Sequence, residues 1–217
     1  MPRSPLVTRD DWPEPELHAA VLAGELIAVG PCWASPAVPQ TPELRAAAAS
    51  WALGDPRLVA VTRTAAWIWG AASRPPAPLE ACVPPPRRGH PGADADPRDV
   101  RDRSSEVRVR PRDVRVRLRE VSVPEDDLVR LGQLRVTAPS RTVVDLLRTP
   151  HTADTAWGPA ESSAVHGLLT VADVSVDDVR ARLAALGRIP MVRQAERRLR
   201  GLLDPADRDR VRPISPR

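Results

Sequence analysis

The segment from Val136 to Leu147, VTAPSRTVVDLL, constrains the fold of this chain more than any other. An alternating apolar pattern that ends at its first residue predicts a strand. Pro139 suits the first turn of a helix, where its missing N–H is not needed. Thr137 or Ser140 is predicted to cap that helix. The sequence therefore predicts a strand that passes directly into a helix.

The predicted helix has one apolar and one polar side. Val143, Val144 and Leu147 fall at the spacing of a face that packs into a core. Arg141 and Asp145 lie one helical turn apart and are predicted to form a polar pair on the exposed side. These residues predict local structure and carry no activity by themselves.

Valine and arginine alternate from Glu106 onwards, with a break at 111–113. Strict alternation predicts two strands with one apolar face and one arginine face. That face can bind phosphates or an acidic protein surface. Alternatively it is a solvated face or an edge protected by charge, with Glu106, Asp113 and Glu120 near enough to pair with some arginines. Its members are Arg108, Arg110, Arg115, Arg117 and Arg119.

Residues 1–35 are predicted to form a degenerate winged-helix-like unit. Pro13 or Pro15 opens a helix, and apolar strands follow at 26–29 and 32–34, around a Gly-Pro turn. A helix followed by a hairpin is typical of the recognition helix and wing of that fold.

The charge of this unit disfavours contact with DNA. It holds two arginines against five acidic residues, a net charge of −3, which leaves +7 for the rest of the chain. The predicted recognition helix offers Glu14, Glu16 and His18 and no arginine, a poor set for base edges that lie beside phosphates. Arg9 and His18 are its candidate contacts with nucleic acid.

Residues 41–155 are predicted to form a mixed α/β domain that contains the arginine strands. Thr41 begins its first helix and Gly54 ends it. Residues 84–105, rich in Pro, Arg and Asp, are predicted to be a mobile loop. A strand, a second helix and another strand are predicted at 58–61, 62–69 and 79–83.

The C-terminal region, residues 160–203, is predicted to be helical, and residues 204–217 form a loose tail. Ser175 caps one helix and Pro190 opens the next. The polar side of that second helix is predicted to face largely outward, with Arg193, Arg197, Arg198 and Arg200. The expected architecture of the whole chain is α+β.

Composition narrows the class of protein further. The 217 residues include no Lys, so all 32 basic residues are arginines, and the net charge is only +4. Six tryptophans supply all aromatic rings; of the pair Trp67 and Trp69, two residues apart, one ring is predicted to face the core and the other its edge. Cys32 and Cys82 lie far apart and are predicted to be buried, without a disulfide or zinc site.

The sequence favours a cytoplasmic protein that is not an enzyme. It contains neither a secretory leader nor an apolar run long enough for a membrane span. The four histidines share no ligand spacing, and neither a nucleophile elbow nor a phosphate loop is present. We therefore predict no catalytic residue, metal or cofactor. A nuclease-related enzyme is disfavoured because its site needs clustered carboxylates beside a basic residue, usually Lys.

The segment from Val123 to Arg148 resembles the central part of the AbiEi-type antitoxins of actinobacteria, which belong to type IV toxin–antitoxin systems. The resemblance extends to three further segments in the family's order, LVTR with ELHAAVLAGELIAVG, VTRTAAWIWG and HGLLTVADV, at 6–30, 61–70 and 166–174.

The resemblance implies an antitoxin whose partner is a nucleotidyltransferase-type toxin encoded beside it, and a regulator that represses its own operon by binding promoter DNA. In the family a helical portion precedes the N-terminal segment, so the winged-helix-like unit is expected to be truncated or rebuilt. Two alternatives stay open: a DNA-binding regulator without a toxin, and an interaction protein that has lost the reader helix and does not bind DNA. The oligomeric state is not predicted.

Overall fold

The computed structural model describes residues 5–83, 105–109, 114–120, 123–150, 157–186 and 191–204, and of residues 105–109 and 120 it describes the backbone. Of the predicted loop at 84–105, Ser105 lies in a strand, and its other residues lie outside the described ones, as do residues 205–217 of the predicted tail. The described chain forms a three-stranded sheet, a six-stranded sheet and seven helices. The α+β class predicted from the sequence is confirmed, since the described residues combine helices with two sheets.

The N-terminal unit consists of a short antiparallel sheet and one helix. Its elements are β1 (Leu6–Val7), α1 (Glu14–Leu22), β2 (Ile27–Val29) and β3 (Cys32–Ala34), with strand order β1-β3-β2. Pro13 precedes the helix and Pro15 lies in its first turn. The helix and both later strands are found where the sequence predicted them. The assignment to a winged-helix-like unit stays a prediction.

The core of this unit is small. Leu17, Ala20, Leu26 and Trp33 form it, whereas Val21, which shares helical spacing with Leu17, is 37% exposed. The helix therefore turns the side that carries Leu17 and Ala20 inward.

Helix α2 (Pro42–Leu53) packs between the two sheets. The Thr41 hydroxyl accepts from the Leu44 N–H at 3.3 Å, and Gly54 ends the helix with a φ of +67°. Both predicted ends are confirmed. The inner face consists of fully buried alanines, Ala46, Ala48, Ala49 and Ala52. Because alanines allow close approach, one continuous core extends from β1 to the larger sheet.

The six-stranded sheet has the order β6-β7-β5-β4-β9-β8. Pairs β4–β9 and β5–β7 are parallel, and the remaining neighbours are antiparallel. The predicted arginine strands are confirmed as the antiparallel pair β6–β7. The strands are β4 (Val59–Ala60), β5 (Leu79–Val83), β6 (Ser105–Val109), β7 (Val114–Glu120), β8 (Leu128–Leu131) and β9 (Leu134–Thr137).

Five helices share a second core; the first of them packs on β5 and β9, and the others pack on it and on one another. Ser175 accepts from the Asp178 N–H at 3.4 Å and caps its helix as predicted. The helices are α3 (Thr62–Ile68), α4 (Pro139–Leu147), α5 (Pro159–Val171), α6 (Val176–Ala185) and α7 (Val192–Leu203). Pro190, predicted to open α7, lies outside the described residues.

The predicted side-chain cap of α4 is wrong. The residue at the cap position is Ala138, and neither Thr137 nor Ser140 caps the helix. The Thr137 hydroxyl lies 2.7 Å from the hydroxyl of Thr142 instead, and Pro139 removes one of the N–H groups that a cap would serve.

The predicted environments of the tryptophans and cysteines are confirmed. Trp67 is 1% exposed, and Trp69 lies at the core edge, with its Nε1–H donating to the Thr137 carbonyl at 2.8 Å. Cys32 and Cys82 are free and buried. Burial raises the pKa of the Cys82 thiol to about 12. Among the described helices, none combines the length and apolar character that a membrane span requires.

Candidate functional site

Two clusters of charged side chains lie at one edge of the six-stranded sheet. Strands β4 and β9 are parallel, so both end at this edge, and helices α3 and α4 begin there. This is the edge at which α/β sheets place their sites. We define the Glu80 cluster as Thr62, Arg63, Thr64, Glu80, Arg117 and Glu161, and the Asp127 cluster as Asp127, Arg141, Asp145 and Arg182.

Glu80 projects from β5 and is 2% exposed. Its Oε2 accepts hydrogen bonds from the Arg63 N–H at 3.0 Å and from the Thr62 hydroxyl. Its Oε1 lies 3.3 Å from Arg63 Nη2 and 3.9 Å from Arg117 Nη1. A buried carboxylate is tolerated only when it is paired and hydrogen-bonded. Glu80 therefore depends on contacts from α3 and β7.

The start of α3 is strained and held by the same carboxylate. Thr62 has a φ of +47°, a left-handed conformation that costs an L-residue roughly 1–2 kcal/mol. The Thr64 hydroxyl accepts from the Glu80 N–H at 2.6 Å, and the Val61 N–H donates to the Glu80 carbonyl at 3.2 Å. These bonds join α3 to β5 on both sides of the strained residue.

Glu161 extends the Glu80 cluster to helix α5. Its Oε1 lies 3.7 Å from Arg63 Nε, and its Oε2 accepts from the Gly158 N–H at 3.0 Å. The same side chain thus satisfies a free amide at the start of α5 and binds that helix to α3.

The Asp127 cluster connects the 3-10 turn before β8 with α4 and α6. Asp127 Oδ2 lies 2.8 Å from Arg141 Nη1, and its Oδ1 contacts Arg182. Arg141 Nε also donates to Asp145 Oδ2 at 2.9 Å. The prediction that Arg141 and Asp145 lie on the exposed side is wrong, since each side chain is only 15% exposed. Asp127 and Arg182 of α6 cover the side chains of Arg141 and Asp145. Both covering residues come from other elements of the chain.

The guanidinium groups of this cluster stabilise the charge of Asp127, whereas burial raises the pKa of Asp145 above its ordinary value. Burial opposes ionisation of Asp127, but the guanidinium groups of Arg141 and Arg182 hold its pKa below the ordinary value. Burial likewise opposes the charge of Arg141, yet the carboxylates of Asp145 and Asp127 raise its pKa.

Each carboxylate in the two clusters is already matched by a guanidinium group. In the described ranges, no group of three or more His, Cys, Asp or Glu side chains could hold a metal ion. The arrangement is therefore suited to fixing α3, α4, α5 and α6 on the sheet. It stabilises the shape of the surfaces around it.

The predicted arginine row is divided. Arg115 is exposed on β7, Arg119 is half-buried, and Arg117 is 14% exposed and belongs to the Glu80 cluster. The backbone of Arg108 pairs with that of Arg115; its side chain, like the whole of Arg110, lies outside the described residues. The acceptor of Arg117 is Glu80, which the sequence interpretation did not include.

Arg9 and His18 share one carboxylate on α1. Arg9 Nη2 lies 3.0 Å from Glu14 Oε1, and His18 Nε2 lies 3.8 Å from the same atom. Arg9 and His18 therefore lie close to each other in the N-terminal unit and apart from the arginines of β7. Close by in sequence, Trp12 and Leu22 are 42% and 89% exposed.

A groove of about 430 Å³ runs beside α7, lined by Trp157, Gln194, Arg197 and Arg198. The Arg198 guanidinium lies 4.8 Å from the centre of the Trp157 ring. The prediction that Arg198 faces outward is wrong, because its Nη1 donates to the carbonyls of Leu147 and Thr149, both at 2.7 Å. Burial and the neighbouring charge of Arg197 lower the pKa of Arg198.

Some of these residues carried a signal in the sequence. Glu80 lies inside the apolar strand LEACV, and a glutamate in such a strand indicates a buried charge that has a partner. The triplets TRT and SRT, at 62–64 and 140–142, each place an arginine after a strand. Trp157 carried no such signal, because the charged and polar side chains beside it come from α7.

The family model of the AbiEi antitoxin C-terminal domain matches residues 58–205. No curated protein is significantly similar in sequence. Among solved structures, the RV2827C protein from Mycobacterium tuberculosis is similar to this chain with a TM-score of 0.41 and 18% identity, over 95% of this chain and 75% of that one.

Proposed function

The chain belongs to the AbiEi antitoxin family, and we propose that it is the antitoxin of a type IV toxin–antitoxin system whose toxin is a nucleotidyltransferase. We propose further that it works in the cytoplasm, without catalysis, by presenting its surface to a partner.

The observation that carries this proposal is the extent of the family match. Residues 58–205 include β4 to β9 and α3 to α7, so the match covers the six-stranded sheet with its helices. We call this part the antitoxin body. Both charge clusters lie within it, and they bind the helices to the sheet. A body fixed in this way supports a function that depends on shape.

Co-expression tests the antitoxin role. The full chain is produced in cells that also express the nucleotidyltransferase gene next to its own. We expect the chain to restore growth, and the Glu25→Ala variant, altered at an exposed N-terminal residue, to restore it equally. Undiminished toxicity in cells that contain soluble, folded chain would contradict the proposal, as would the absence of any adjacent nucleotidyltransferase gene.

Repression of its own operon is the second part of the proposal. We assign the contacts with promoter DNA to Arg115 and Arg119 on β7. The favouring observation is the position of these arginines outside the Glu80 cluster, on the same strand face. Two phosphate contacts predict that log affinity falls with log salt at a slope of about −1.8.

An interaction protein that does not bind DNA is the competing candidate. It is favoured by α1, whose Glu14 side chain contacts both Arg9 and His18, so that this helix offers no arginine to base edges.

A gel-shift measurement on the DNA upstream of its gene decides between the two. We expect the double variant Arg115→Glu/Arg119→Glu to lose binding and Arg9→Glu to keep it. Arg117 is left unchanged because its replacement would disturb Glu80. Failure of the unaltered chain to shift this DNA at low salt favours the competing candidate and leaves the antitoxin role intact.

A further inference from the structure

We propose that the groove beside α7 binds an unpaired nucleotide of a single-stranded nucleic acid, with Trp157 as the stacking surface and the arginines of α7 on the phosphates. The inference goes beyond the antitoxin role and does not depend on it. It also concerns a surface different from the β7 arginines.

The lining of the groove has the chemistry that an unpaired nucleotide requires. Trp157 supplies an aromatic ring, Gln194 an amide that both donates and accepts, and Arg197 a guanidinium group. Stacking on an aromatic side chain and hydrogen bonds to the base edge are how proteins bind single strands. The volume of about 430 Å³ lies in the range of small-ligand sites, roughly 300–1,000 Å³.

A row of arginines continues from the groove along α7. Arg193, Arg197 and Arg200 are exposed and spaced by four and three residues, so they lie on one side of the helix. Glu196 lines a second groove together with Arg180 and Arg200, so Arg200 also faces that groove. Among the described residues that line the Trp157 groove, none is a carboxylate. This side of α7 is therefore suited to a phosphate chain.

The ring of Trp157 is held in place before any ligand arrives. Arg198 lies 4.8 Å from the ring centre and is itself fixed by two backbone carbonyls at 2.7 Å. A surface that is already ordered loses less conformational entropy on binding. Arg198 is thus a positioning residue, and Trp157 is the contact residue.

A single strand fits this arrangement better than a duplex. In a duplex the bases stack on one another, and their faces are not available to a side chain. Only an unpaired base can bring its face to Trp157 while its phosphates reach the arginines.

Fluorescence anisotropy with the full chain tests the inference, using a labelled 12-nucleotide RNA, the DNA of the same sequence, and that DNA as a duplex. We expect both single strands to bind more tightly than the duplex. Replacement of Trp157 by Leu, which keeps an apolar side chain and removes the ring, should weaken single-strand binding about tenfold. Trp12→Leu, the same change at an exposed tryptophan of the N-terminal unit, should leave it unchanged.

Two further variants keep the test independent of the fold. Gln194→Ala alters only the groove and should weaken binding about threefold, with an unchanged melting temperature. Arg193→Ala, on the exposed side of α7, should make the salt slope shallower by about 0.7. A tighter RNA complex would identify RNA as the natural source of the nucleotide, and equal affinity would indicate a site for either strand type.

Three results would overturn the inference. They are the absence of single-strand binding at low salt, equal loss of binding in the Trp157 and Trp12 variants, and binding of the duplex or of polyglutamate as tightly as the single strands. None of these results bears on growth rescue in the co-expression experiment.

Discussion

The two strand-to-helix junctions of the six-stranded sheet are built alike and held differently. At β4–α3 and at β9–α4, a parallel strand ends and a helix begins with an arginine in its first turn. Arg63 pairs with Glu80 in the first junction, and Arg141 pairs with Asp127 in the second. Each arginine reaches a buried carboxylate from another strand or turn, so the junctions share one principle.

The difference lies in the backbone at the start of each helix. Thr62 enters α3 with a φ of +47°, and Glu80, eighteen residues away, holds it there. Pro139 enters α4 with a φ already suited to a helix. The first junction therefore depends on a distant carboxylate, whereas the second is largely determined by its own sequence. This comparison predicts unequal sensitivity to mutation.

Glu80→Ala should cause the largest loss. It removes the acceptor of Thr62 and Arg63 and leaves Arg117, 14% exposed, without its carboxylate. Breaking a buried ion pair by removing one partner costs about 3–5 kcal/mol. Urea denaturation should show this decrease in the free energy of unfolding, against a change within about 0.5 kcal/mol for the exposed control Glu25→Ala. A loss below 1 kcal/mol would mean that the first junction does not depend on Glu80.

Asp127→Asn should cost less, about 2 kcal/mol, because Arg141 keeps Asp145 as a partner and Arg182 is 40% exposed. The folded-state pKa of Asp127 lies below its ordinary value. Its stabilising contribution is therefore complete above about pH 4 and is lost as the pH falls through the folded pKa.

The pH dependence gives a separate measurement of the same residue. Between pH 7 and pH 3, the Asn variant should lose less unfolding free energy than the unaltered chain. Asp126→Asn, at the adjacent exposed position, serves as the control and should follow the unaltered chain. Parallel acid curves for all three proteins would show that Asp127 does not titrate as proposed.

A pair of substitutions at Thr62 tests the strain directly. Thr62→Gly and Thr62→Ala both remove the hydroxyl. Because only Gly adopts a positive φ without strain, the Gly variant should be about 1 kcal/mol more stable than the Ala variant. At Thr142, inside α4, the order should reverse by a similar amount because Gly is the poorer helix former. Thermal unfolding measures these stabilities. If the Gly variant were the more stable one at both positions, or the Ala variant at both, the two junctions would not differ in backbone strain.

Pro139→Ala should have the smallest effect. Its cost, about 0.5 kcal/mol, comes from greater freedom of the unfolded chain. Calorimetry should show a decrease of the melting temperature by a few degrees at most. A loss of unfolding free energy as large as that of Glu80→Ala would show that the second junction also depends on more than its own sequence.

The same difference explains which parts of the fold were predictable from sequence. The ends of α2 follow from Thr41 and Gly54, and β5 and β9 follow from apolar patterns flanked by turns. These signals act between neighbours in the chain. The burial of Arg141 and Asp145 was predicted wrongly, since it depends on Asp127 and on α6, which approach through tertiary packing.

The candidate site followed the same rule. Alternation predicted β7 and its arginines, but no local pattern distinguishes Arg117, which is bound to Glu80, from the exposed Arg115. Arg198 was predicted to face outward because helical spacing reports position around an axis and says nothing of a neighbouring helix end. The predicted domain limits at residues 41–155 and 160–203 stay predictions.

Helix α4 is held at both ends by residues synthesised after it. Arg182 closes the cluster at its beginning through Asp127, and Arg198 donates to the carbonyls that follow its last turn. A nascent chain still on the ribosome before residue 198 therefore has α4 without its second clamp. Premature termination or proteolytic removal of α7 would remove the Arg198 contacts and leave α4 with only the clamp at its beginning.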